Sequence, residues 1–366
     1  MTKSGKRKRS IQAYRCRKGH FFTTGTLNGY ADSFVEYVVF VYLRCLSLNT
    51  TVDIVRATYE DEVLTKATVL SFLEQVADAV PTSDDIDNLL HPKRSGYLAF
   101  DGVWFTFRGM QIVLLVCFDP ETFDVVGALW SLSEDEKAYT TLLQRVLKKL
   151  GKQAIMGVYG DGDKGLVSAL KTHLPLVPFQ LCIVHKEMRM GQLVPVKSVN
   201  ISKRLSEQMK QEILGFQTAF RAVLYAESKP ASLAALQLLR HYIEAHPQPR
   251  FKQAFRSLKT NFVYTLTHFD HLGMMRDNNL IECFNGILKP RLTLMKGFKK
   301  YENLDRYLTL FLLEFRFRPL KESRFAERRD LSPLQIAGVQ LPTFYNFLSF
   351  LRTSLKLTFT PSEDVI

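Results

Sequence analysis

Three acidic residues, each in a different local context, constrain most strongly what this chain can fold into. Asp101 ends the apolar pattern Tyr97-Leu-Ala-Phe-Asp, and Asp161 ends the pattern Ile155-Met-Gly-Val-Tyr-Gly-Asp; both patterns predict strands. Glu282 lies in Asp277-Asn-Asn-Leu-Ile-Glu-Cys-Phe-Asn, which is typical of the first turns of a helix. Strand ends and a helix face can bring carboxylates to one point, where they repel each other unless cations lie between them.

The chemistry that such a cluster supports follows from its ligand atoms and from the charge of the chain. Carboxylate oxygens suit Mg²⁺ or Mn²⁺. Two such ions can activate water or a 3′-hydroxyl and stabilise the leaving oxygen of a phosphodiester. The chain of 366 residues has a net charge of +13, which favours a polyanionic partner. We therefore predict chemistry on nucleic acid that depends on two Mg²⁺ ions, with Mn²⁺ as the alternative.

Composition excludes several other classes of protein. No apolar run reaches the ~20 residues that a membrane helix needs, and the basic start is not followed by the apolar segment of a signal peptide. We therefore expect no membrane partner. The five cysteines are scattered and odd in number, which argues against a disulfide framework and for a reducing compartment.

The N-terminal residues are basic and polar, and we predict a flexible arm over residues 1–30. The arm is either a solvated tail or a segment that contacts phosphates. In the second case, the residues that bind DNA would be Lys6, Arg7, Lys8 and Arg9. Cys16 and His20 could supply half of a zinc site, but structural zinc needs four ligands and no Cys-x-x-Cys lies nearby.

Residues 31–92 predict a helix-turn-helix DNA-binding domain. Three short helices with polar starts fit the pattern, and Lys66 would be exposed near the start of the third, groove-reading helix. The alternative is a plain three-helix bundle used for dimer contacts. A linker is predicted at Pro81-Thr-Ser-Asp-Asp-Ile-Asp and His91-Pro-Lys-Arg-Ser-Gly. We expect residues 1–95 to bind DNA without the rest of the chain.

Residues 93–200 predict the first part of a catalytic core. The predicted strands and helices alternate as βββαβαβ, at 97–107, 110–118, 123–131, 134–150 (helix), 154–159, 164–172 (helix) and 177–184. This is the order of an RNase H-like mixed sheet in the α/β class. In that fold the first and fourth strands are neighbours, so Asp101 and Asp161 would meet.

The remaining sequence predicts an all-α insertion and the return to the core. Residues 201–275 are mostly helical in pattern, residues 276–325 form the second part of the core with the Glu282 helix, and residues 326–366 are a C-terminal segment with a weak pattern. Residues 304–317 predict one more amphipathic helix. Basic residues that would hold a DNA strand near the site follow Glu282: Lys289, Arg291, Lys296, Lys299 and Lys300.

Four motifs in order give the chain a family resemblance. They are Asp101-Gly-Val, Asp161-Gly-Asp-Lys-Gly-Leu, Cys182-Ile-Val-His185 and Asn278-Asn-Leu-Ile-Glu282-Cys-Phe-Asn285. This series resembles the DDE transposases of the Mutator-like superfamily, including its bacterial insertion-sequence members. The resemblance implies that Asp101, Asp161 and Glu282 form the catalytic and metal-binding triad.

Several positions around this triad have more than one interpretation. Asp163 is the rival for the second position, although it is better explained as a cap for the helix that begins at Lys164. His185 would be catalytic beside the carboxylates while Cys182 packs in the core, or both could be structural. The two could also bind a metal together, but no second pair completes a zinc site.

The chain also departs from the family pattern in its insertion and after the His. Related transposases can use a Trp of the insertion to stack a flipped base, and this insertion has none. The aromatic residues that could substitute, or that simply form the core, are Phe216, Phe220, Tyr225 and Tyr242. Arg189 is the nearest Arg after His185.

The resemblance implies a transposase that cuts double-stranded DNA at the ends of its own element and joins them to a target. Water would be the first nucleophile and the freed 3′-hydroxyl the second. We expect a homo-oligomer on DNA, acting in the nucleoid or cytoplasm of a prokaryote or in the nucleus of a eukaryote. The alternatives are an RNase H-like nuclease without strand transfer and a domesticated DNA-binding regulator.

Overall fold

The computed structural model describes most of the chain as two compact units. The first combines residues 1–93 with residues 288–366, and the second is residues 94–287. The described residues are 2–6, 12–15, 21–23, 26–27, 30–44, 47–59, 64–199, 201, 205–294, 300–344 and 346–355.

The first unit begins with short strands where a flexible arm was predicted. The strands Thr2–Lys6 (β1), Gln12–Arg15 (β2) and Phe21–Thr23 (β3) form an antiparallel sheet in the order β1-β2-β3, and Thr26–Leu27 (β4) pairs with Tyr30–Ala31 (β5). The prediction of an arm was wrong for these residues, because short runs with high strand propensity, such as Phe21-Phe22-Thr23, lie among the basic residues. Arg7, Lys8, Arg9, Cys16 and His20 lie outside the described residues.

Four helices follow in the first unit. They are Asp32–Leu43 (α1), Leu48–Tyr59 (α2), Lys66–Ala79 (α3) and Ser83–Leu90 (α4). The three predicted helices are confirmed, whereas α4 replaces much of the predicted linker. Thr82 and Asp85 form a reciprocal capping box, with N–H to side-chain oxygen distances of 3.2 and 2.9 Å, which starts α4 directly after Pro81.

A five-stranded mixed sheet forms the centre of the second unit. Its strands are Tyr97–Phe107 (β6), Met110–Asp119 (β7), Asp124–Ser131 (β8), Gly157–Gly160 (β9) and Phe179–Leu181 (β10), in the order β10-β9-β6-β7-β8. β6, β7 and β8 form an antiparallel meander, and β9 lies parallel to both β6 and β10. The predicted strands are confirmed, except that Asp101 lies within β6 rather than at the end of a strand. The last strand ends at Leu181 because Cys182 begins a helix.

Two helices, Glu136–Leu150 (α5) and Lys164–His173 (α6), cover one face of this sheet and bury its apolar side chains. Ile183–Leu193 (α7) follows β10. Leu98 and Phe100 alternate along β6 and share a core with Leu142 of α5 and Leu166 of α6. Asp135 caps α5 by accepting a hydrogen bond from the Ala138 N–H at 2.9 Å.

The pairing of β6 with β9 places two of the acidic residues at one level of the sheet. Ala99 pairs with Tyr159 in parallel register. Asp101 lies two residues after Ala99, and Asp161 lies two residues after Tyr159. The prediction that the first and fourth strands are neighbours is therefore confirmed.

The region predicted as helical, residues 201–275, contains three helices with a core of their own, Glu207–Leu224 (α8), Lys229–Ala245 (α9) and Pro249–Lys259 (α10). A short helix, Thr267–Asp270 (α11), follows and contacts β10. The rings of Phe216 and Phe251 stack with centroids 4.3 Å apart in this core. Ile183 and Met190 of α7 belong to the same core, so α7 joins the insertion to the end of β10.

The chain then forms Asn279–Leu294 (α12) and returns to the first unit at Leu288. Glu302–Phe317 (α13), Pro333–Ile336 (α14) and Phe347–Leu355 (α15) follow. α13 packs against α3, and its buried Arg316 pairs with Asp87 of α4 and donates to the Ser83 carbonyl oxygen at 2.9 Å. The sequence pattern grouped residues 276–325 with the catalytic core, whereas the structure groups those after Ile287 with the N-terminal helices.

One further property of the helices concerns membranes. Among the helices of the described residues, none is both long enough and apolar enough to cross a bilayer.

Candidate active site

Asp161 lies in a tight turn between β9 and α6. Its Oδ1 accepts a hydrogen bond from the Asp163 N–H at 2.9 Å. Gly162 between them has a φ of +83°, and a Cβ there would lie 2.4 Å from Leu181 Cδ1, so the turn requires glycine. Asp163 accepts from the Gly165 and Leu166 N–H groups at 2.7 and 3.3 Å, which confirms its predicted role as a helix cap.

The helix that carries Glu282 is fastened at its start to β6 and to α7. The Asn278 N–H donates to Cys182 Sγ at 3.3 Å, and Asn278 Nδ2 donates to the Phe100 carbonyl oxygen at 3.3 Å. Both Asn278 and Cys182 are buried. These bonds bring α12 beside the residue that precedes Asp101.

Asn285 connects this helix directly to Asp101. Its Nδ2 donates to Asp101 Oδ2 at 2.6 Å, while the Gly102 N–H donates to Asp101 Oδ1 at 2.9 Å. Asn285 follows Glu282 by three residues, so the two side chains lie on one face of the helix. The sequence pattern gave Asn285 no role of its own, although this i, i+3 spacing could have indicated one.

His185 lies beside Glu282, with its Nδ1 3.6 Å from Glu282 Oε1. Both side chains are partly buried, and Glu282 Oε1 accepts no hydrogen bond from any described residue. Cys182, three residues before His185, is buried, as expected if it packs in the core. His185 is therefore next to the candidate triad.

The pKa values reflect how closely these groups lie. Burial and the charge of Asp161, with a smaller effect of Glu282, raise the pKa of Asp101 to about 6, although His185 and the Gly102 N–H oppose the rise. Burial lowers the pKa of His185, but a hydrogen bond to Cys182 and the charges of Asp161 and Asp101 outweigh it and raise that pKa to about 9. The neighbouring carboxylates thus favour the protonated form of His185.

The donor atoms fit hard divalent cations. Mutual repulsion acts on the carboxylates, and Glu282 presents a buried oxygen to which no described residue donates a hydrogen bond; a cation relieves both. Carboxylate oxygens are the ligands that Mg²⁺ and Mn²⁺ prefer. Cys182, His185 and Glu282 also offer ligand atoms that all lie within 4.8 Å of one another, an S, N and O set that suits a softer ion.

A fourth acidic residue, Glu134, also lies at the site and was missed in the sequence. Burial and the charges of Asp161, Asp163 and Asp101 raise its pKa to about 7, while a hydrogen bond from the Trp104 side chain opposes the rise. Glu134 directly precedes the cap of α5, where acidic residues are common for helix-dipole reasons alone. No local signal therefore distinguishes it from Asp135 or Glu136.

The predicted DNA-binding residues differ in their exposure. Lys66, Lys289 and Lys300 are exposed. Arg291 is only 5% exposed, with its guanidinium 5.1 Å from the Phe311 ring centroid, so its predicted contact with DNA is corrected to a structural role in the first unit. The structure describes Lys6 in its backbone alone, and Arg7, Lys8, Arg9, Lys296 and Lys299 lie outside the described residues.

The aromatic residues of the insertion pack mostly within it. Phe216 and Phe220 are buried in its core. The Tyr242 hydroxyl donates to the Glu212 carbonyl oxygen at 2.9 Å. The Tyr225 hydroxyl donates to Glu187 at 2.6 Å, and the guanidinium of Arg276 lies 5.1 Å from the centroid of its ring. Of the four candidates, Phe216 and Phe220 have no surface on which a base could stack.

The chain is similar to transposases of bacterial insertion sequences. Residues 1–317 match the sequence model of the transposase Mutator family, and the chain belongs to that family. It is 24% identical over 321 residues, 83% of this chain and 76% of the relative, to the transposase for insertion sequence element IS256 in transposon Tn4001 of Staphylococcus aureus. The transposase for IS905 of Lactococcus lactis is 27% identical over 202 residues, 53% of this chain and 46% of that relative. The protein is thus a DNA transposase.

Proposed function

We propose that residues 94–287 form an RNase H-like catalytic core that cleaves DNA at the ends of an insertion sequence and transfers the freed strands to a target. The order β10-β9-β6-β7-β8 is the one expected of that fold. The observation that carries the proposal is the Asn285–Asp101 hydrogen bond of 2.6 Å. It fastens the Glu282 helix beside Asp101, at the sheet level that Asp161 shares.

Asp101, Asp161 and Glu282 would hold two Mg²⁺ or Mn²⁺ ions. Such ions, when bound, supply Lewis-acid stabilisation of the attacking and leaving oxygens of a phosphodiester. The chain itself orients the carboxylates: Asn285 and the Gly102 N–H hold Asp101, and the Asp163 N–H holds Asp161.

His185 would bind the scissile phosphate. The imidazole keeps at least one ring N–H in either charge state, and that N–H can donate a hydrogen bond to a phosphate oxygen. The role needs no proton transfer from His185.

Binding to DNA would use the basic surface of the chain. We assign phosphate contacts to the exposed Lys66, Lys289 and Lys300, and groove reading to α3 as the recognition helix of a helix-turn-helix. The insertion sequence has two ends, so we expect a homo-oligomer on DNA. The relatives are bacterial, and the nucleoid is then the place of action.

The test is cleavage and joining of duplex DNA that borders this gene, in Mg²⁺ or Mn²⁺. Asp101→Ala, Asp161→Ala and Glu282→Ala should each abolish cleavage while gel-shift binding persists, because each removes a ligand from a shared site. Asp163→Ala is the matched control: it removes a helix cap, worth about 1 kcal/mol, but no proposed ion ligand, and should still cleave.

The outcomes also separate the alternatives. Triad variants that still cleave contradict the site, and an active Asp161→Ala beside an inactive Asp163→Ala would move the second ligand to Asp163. Cleavage by the wild type without joining would indicate a nuclease. Specific binding without cleavage in either metal would indicate a regulator.

A further inference from the structure

Glu134 is held against the two segments that carry the aspartates. A Cβ placed on Gly102, the residue after Asp101, would lie 1.9 Å from Glu134 Oε1 and 2.8 Å from its Cδ. The Glu134 carboxylate therefore occupies the space above the β6 backbone that any other residue at position 102 would fill. The Trp104 side chain donates a hydrogen bond to the same carboxylate.

The backbone of Glu134 is fixed as firmly as its side chain. A Cβ on Gly165, in the first turn of α6, would lie 2.4 Å from the Glu134 carbonyl oxygen and 2.5 Å from the Asp135 carbonyl carbon. The loop before α5 thus lies directly on the helix that follows Asp161. The cap made by Asp135, with Ser133 Oγ 2.6 Å from its Oδ2, holds the loop from the other side.

We propose that Glu134 is a fourth carboxylate ligand of the ion site formed by Asp101, Asp161 and Glu282. The proposal rests on the proposed function, because it adds a ligand to the same site. Gly102 leaves room for the Glu134 carboxylate beside Asp101. Gly165 lets the backbone of Glu134 lie against the first turn of the helix that follows Asp161.

This placement explains why a half-buried acid lies among groups of its own charge. The groups that act most strongly on the charge of Glu134 are the acids Asp161, Asp163 and Asp101, together with the Trp104 side chain. A carboxylate among like charges is unfavourable in the empty protein and favourable once divalent cations bind. Glu134 would therefore increase the affinity of the site for ions and weaken the ion-free state.

The test measures Mn²⁺ binding to the full-length protein by titration calorimetry after removal of metal with EDTA. Glu134→Gln should raise the Kd at least about tenfold, the size found when groups that support a metal site are removed. Glu136→Gln is the matched control: it lies two residues further on, its carboxylate accepts from Ser168 Oγ at 2.6 Å, and its affinity should stay that of the wild type. Unchanged binding by Glu134→Gln would overturn the proposal.

Thermal unfolding gives a second readout that does not depend on activity. Mn²⁺ should raise the unfolding midpoint of the wild type by mass action, and Glu134→Gln should reduce that rise without lowering the midpoint in EDTA. A lower midpoint in EDTA with unchanged Mn²⁺ affinity would make Glu134 a structural residue and overturn the proposal.

Gly102→Ala tests the same contact from the other side. Gly102 lies in β6, where its φ is not positive, so alanine fits the backbone but its methyl displaces the Glu134 carboxylate. It should weaken Mn²⁺ binding as Glu134→Gln does, and wild-type affinity would contradict the proposal.

One more variant separates this proposal from the proposed function. If Asp161→Asn loses Mn²⁺ affinity while Glu134→Gln does not, only the role of Glu134 fails. If Asp161→Asn also binds as the wild type does, the ion site itself fails.

Discussion

Asn285 decides how the Asp101 carboxylate is presented. Both oxygens of Asp101 accept a hydrogen bond, one from Asn285 Nδ2 at 2.6 Å and one from the Gly102 N–H at 2.9 Å. A carboxylate oxygen has two lone pairs, so each can still bind a cation. A neutral amide orients the carboxylate without the positive charge that a lysine would bring, and such a charge would compete with ions for the site.

We predict that Asn285→Ala lowers cleavage by about 10–100-fold, as is typical when a group that orients a metal ligand is removed. Since the defect lies in positioning, the variant should need more Mn²⁺ for half-maximal cleavage, and saturating Mn²⁺ should recover part of the rate. Cys283→Ala, at an exposed position of α12, is the control and should resemble the wild type. A decrease in rate that is independent of Mn²⁺ concentration would show that Asn285 does not act through the ion site.

At the level of secondary structure, α7 links the catalytic site to the insertion. Its first turn carries His185, while Ile183 and Met190 are buried in the core that α8, α9 and α10 form. Phe216 lies at the centre of that core, stacked on Phe251 at 4.3 Å. The insertion is therefore a packed body whose stability bears on the position of His185.

We predict that Phe216→Ala destabilises the protein by about 3–5 kcal/mol, because truncating a fully buried aromatic side chain leaves a cavity. Leu238→Ala, on α9, is the control: Leu238 is 68% exposed, and the change should stay within about 0.5 kcal/mol. Denaturant unfolding followed by circular dichroism measures both. Equal effects of the two substitutions would mean that the insertion does not fold around Phe216.

Across the chain as a whole, the N-terminal helices depend on residues far away in sequence. Arg316 of α13 is fully buried and pairs with Asp87, and Arg306 forms two hydrogen bonds with Asp78 at 2.8 and 2.7 Å. A fragment of residues 1–95 would leave Asp87 without this partner and expose the face of α3 that α13 covers. DNA binding by that fragment stays a prediction, and a measurement on the full chain keeps these contacts intact.

We predict that the DNA affinity of the full chain falls steeply with salt, because a net charge of +13 favours phosphate contacts. Replacing Lys66, Lys289 or Lys300 by Ala should each reduce the slope of log K against log salt by about 0.9, because each substitution removes one charge that neutralises a phosphate. Lys321→Ala is the control, since Lys321 is 74% exposed but pairs with Asp330 at 3.0 Å. The control should keep the wild-type slope, and an unchanged slope for the other three substitutions would mean that Lys66, Lys289 and Lys300 do not face DNA.

Local features of this chain could be predicted from the sequence. The meander β6–β8, the capped helices α5 and α6 and the cap role of Asp163 follow from alternation, helical periodicity and turn chemistry, which act over a few residues. The prediction of β6 and β9 as neighbours came from the order of the elements. α4 and the strands β1–β3 were missed because their signals are short and lie among polar or basic residues.

The order of residues was enough to establish which segments of the core form strands and helices and that Asp161 follows the end of a strand, whereas Asp101 lies within β6. The folded chain was needed to show that Asn285 holds Asp101, that Glu134 fills the space above Gly102, that Arg291 is buried and that residues 288–366 pack with the N-terminal helices. The physical reason is that propensity and periodicity are properties of neighbouring residues. Burial and contact between distant residues depend instead on which faces of the elements meet.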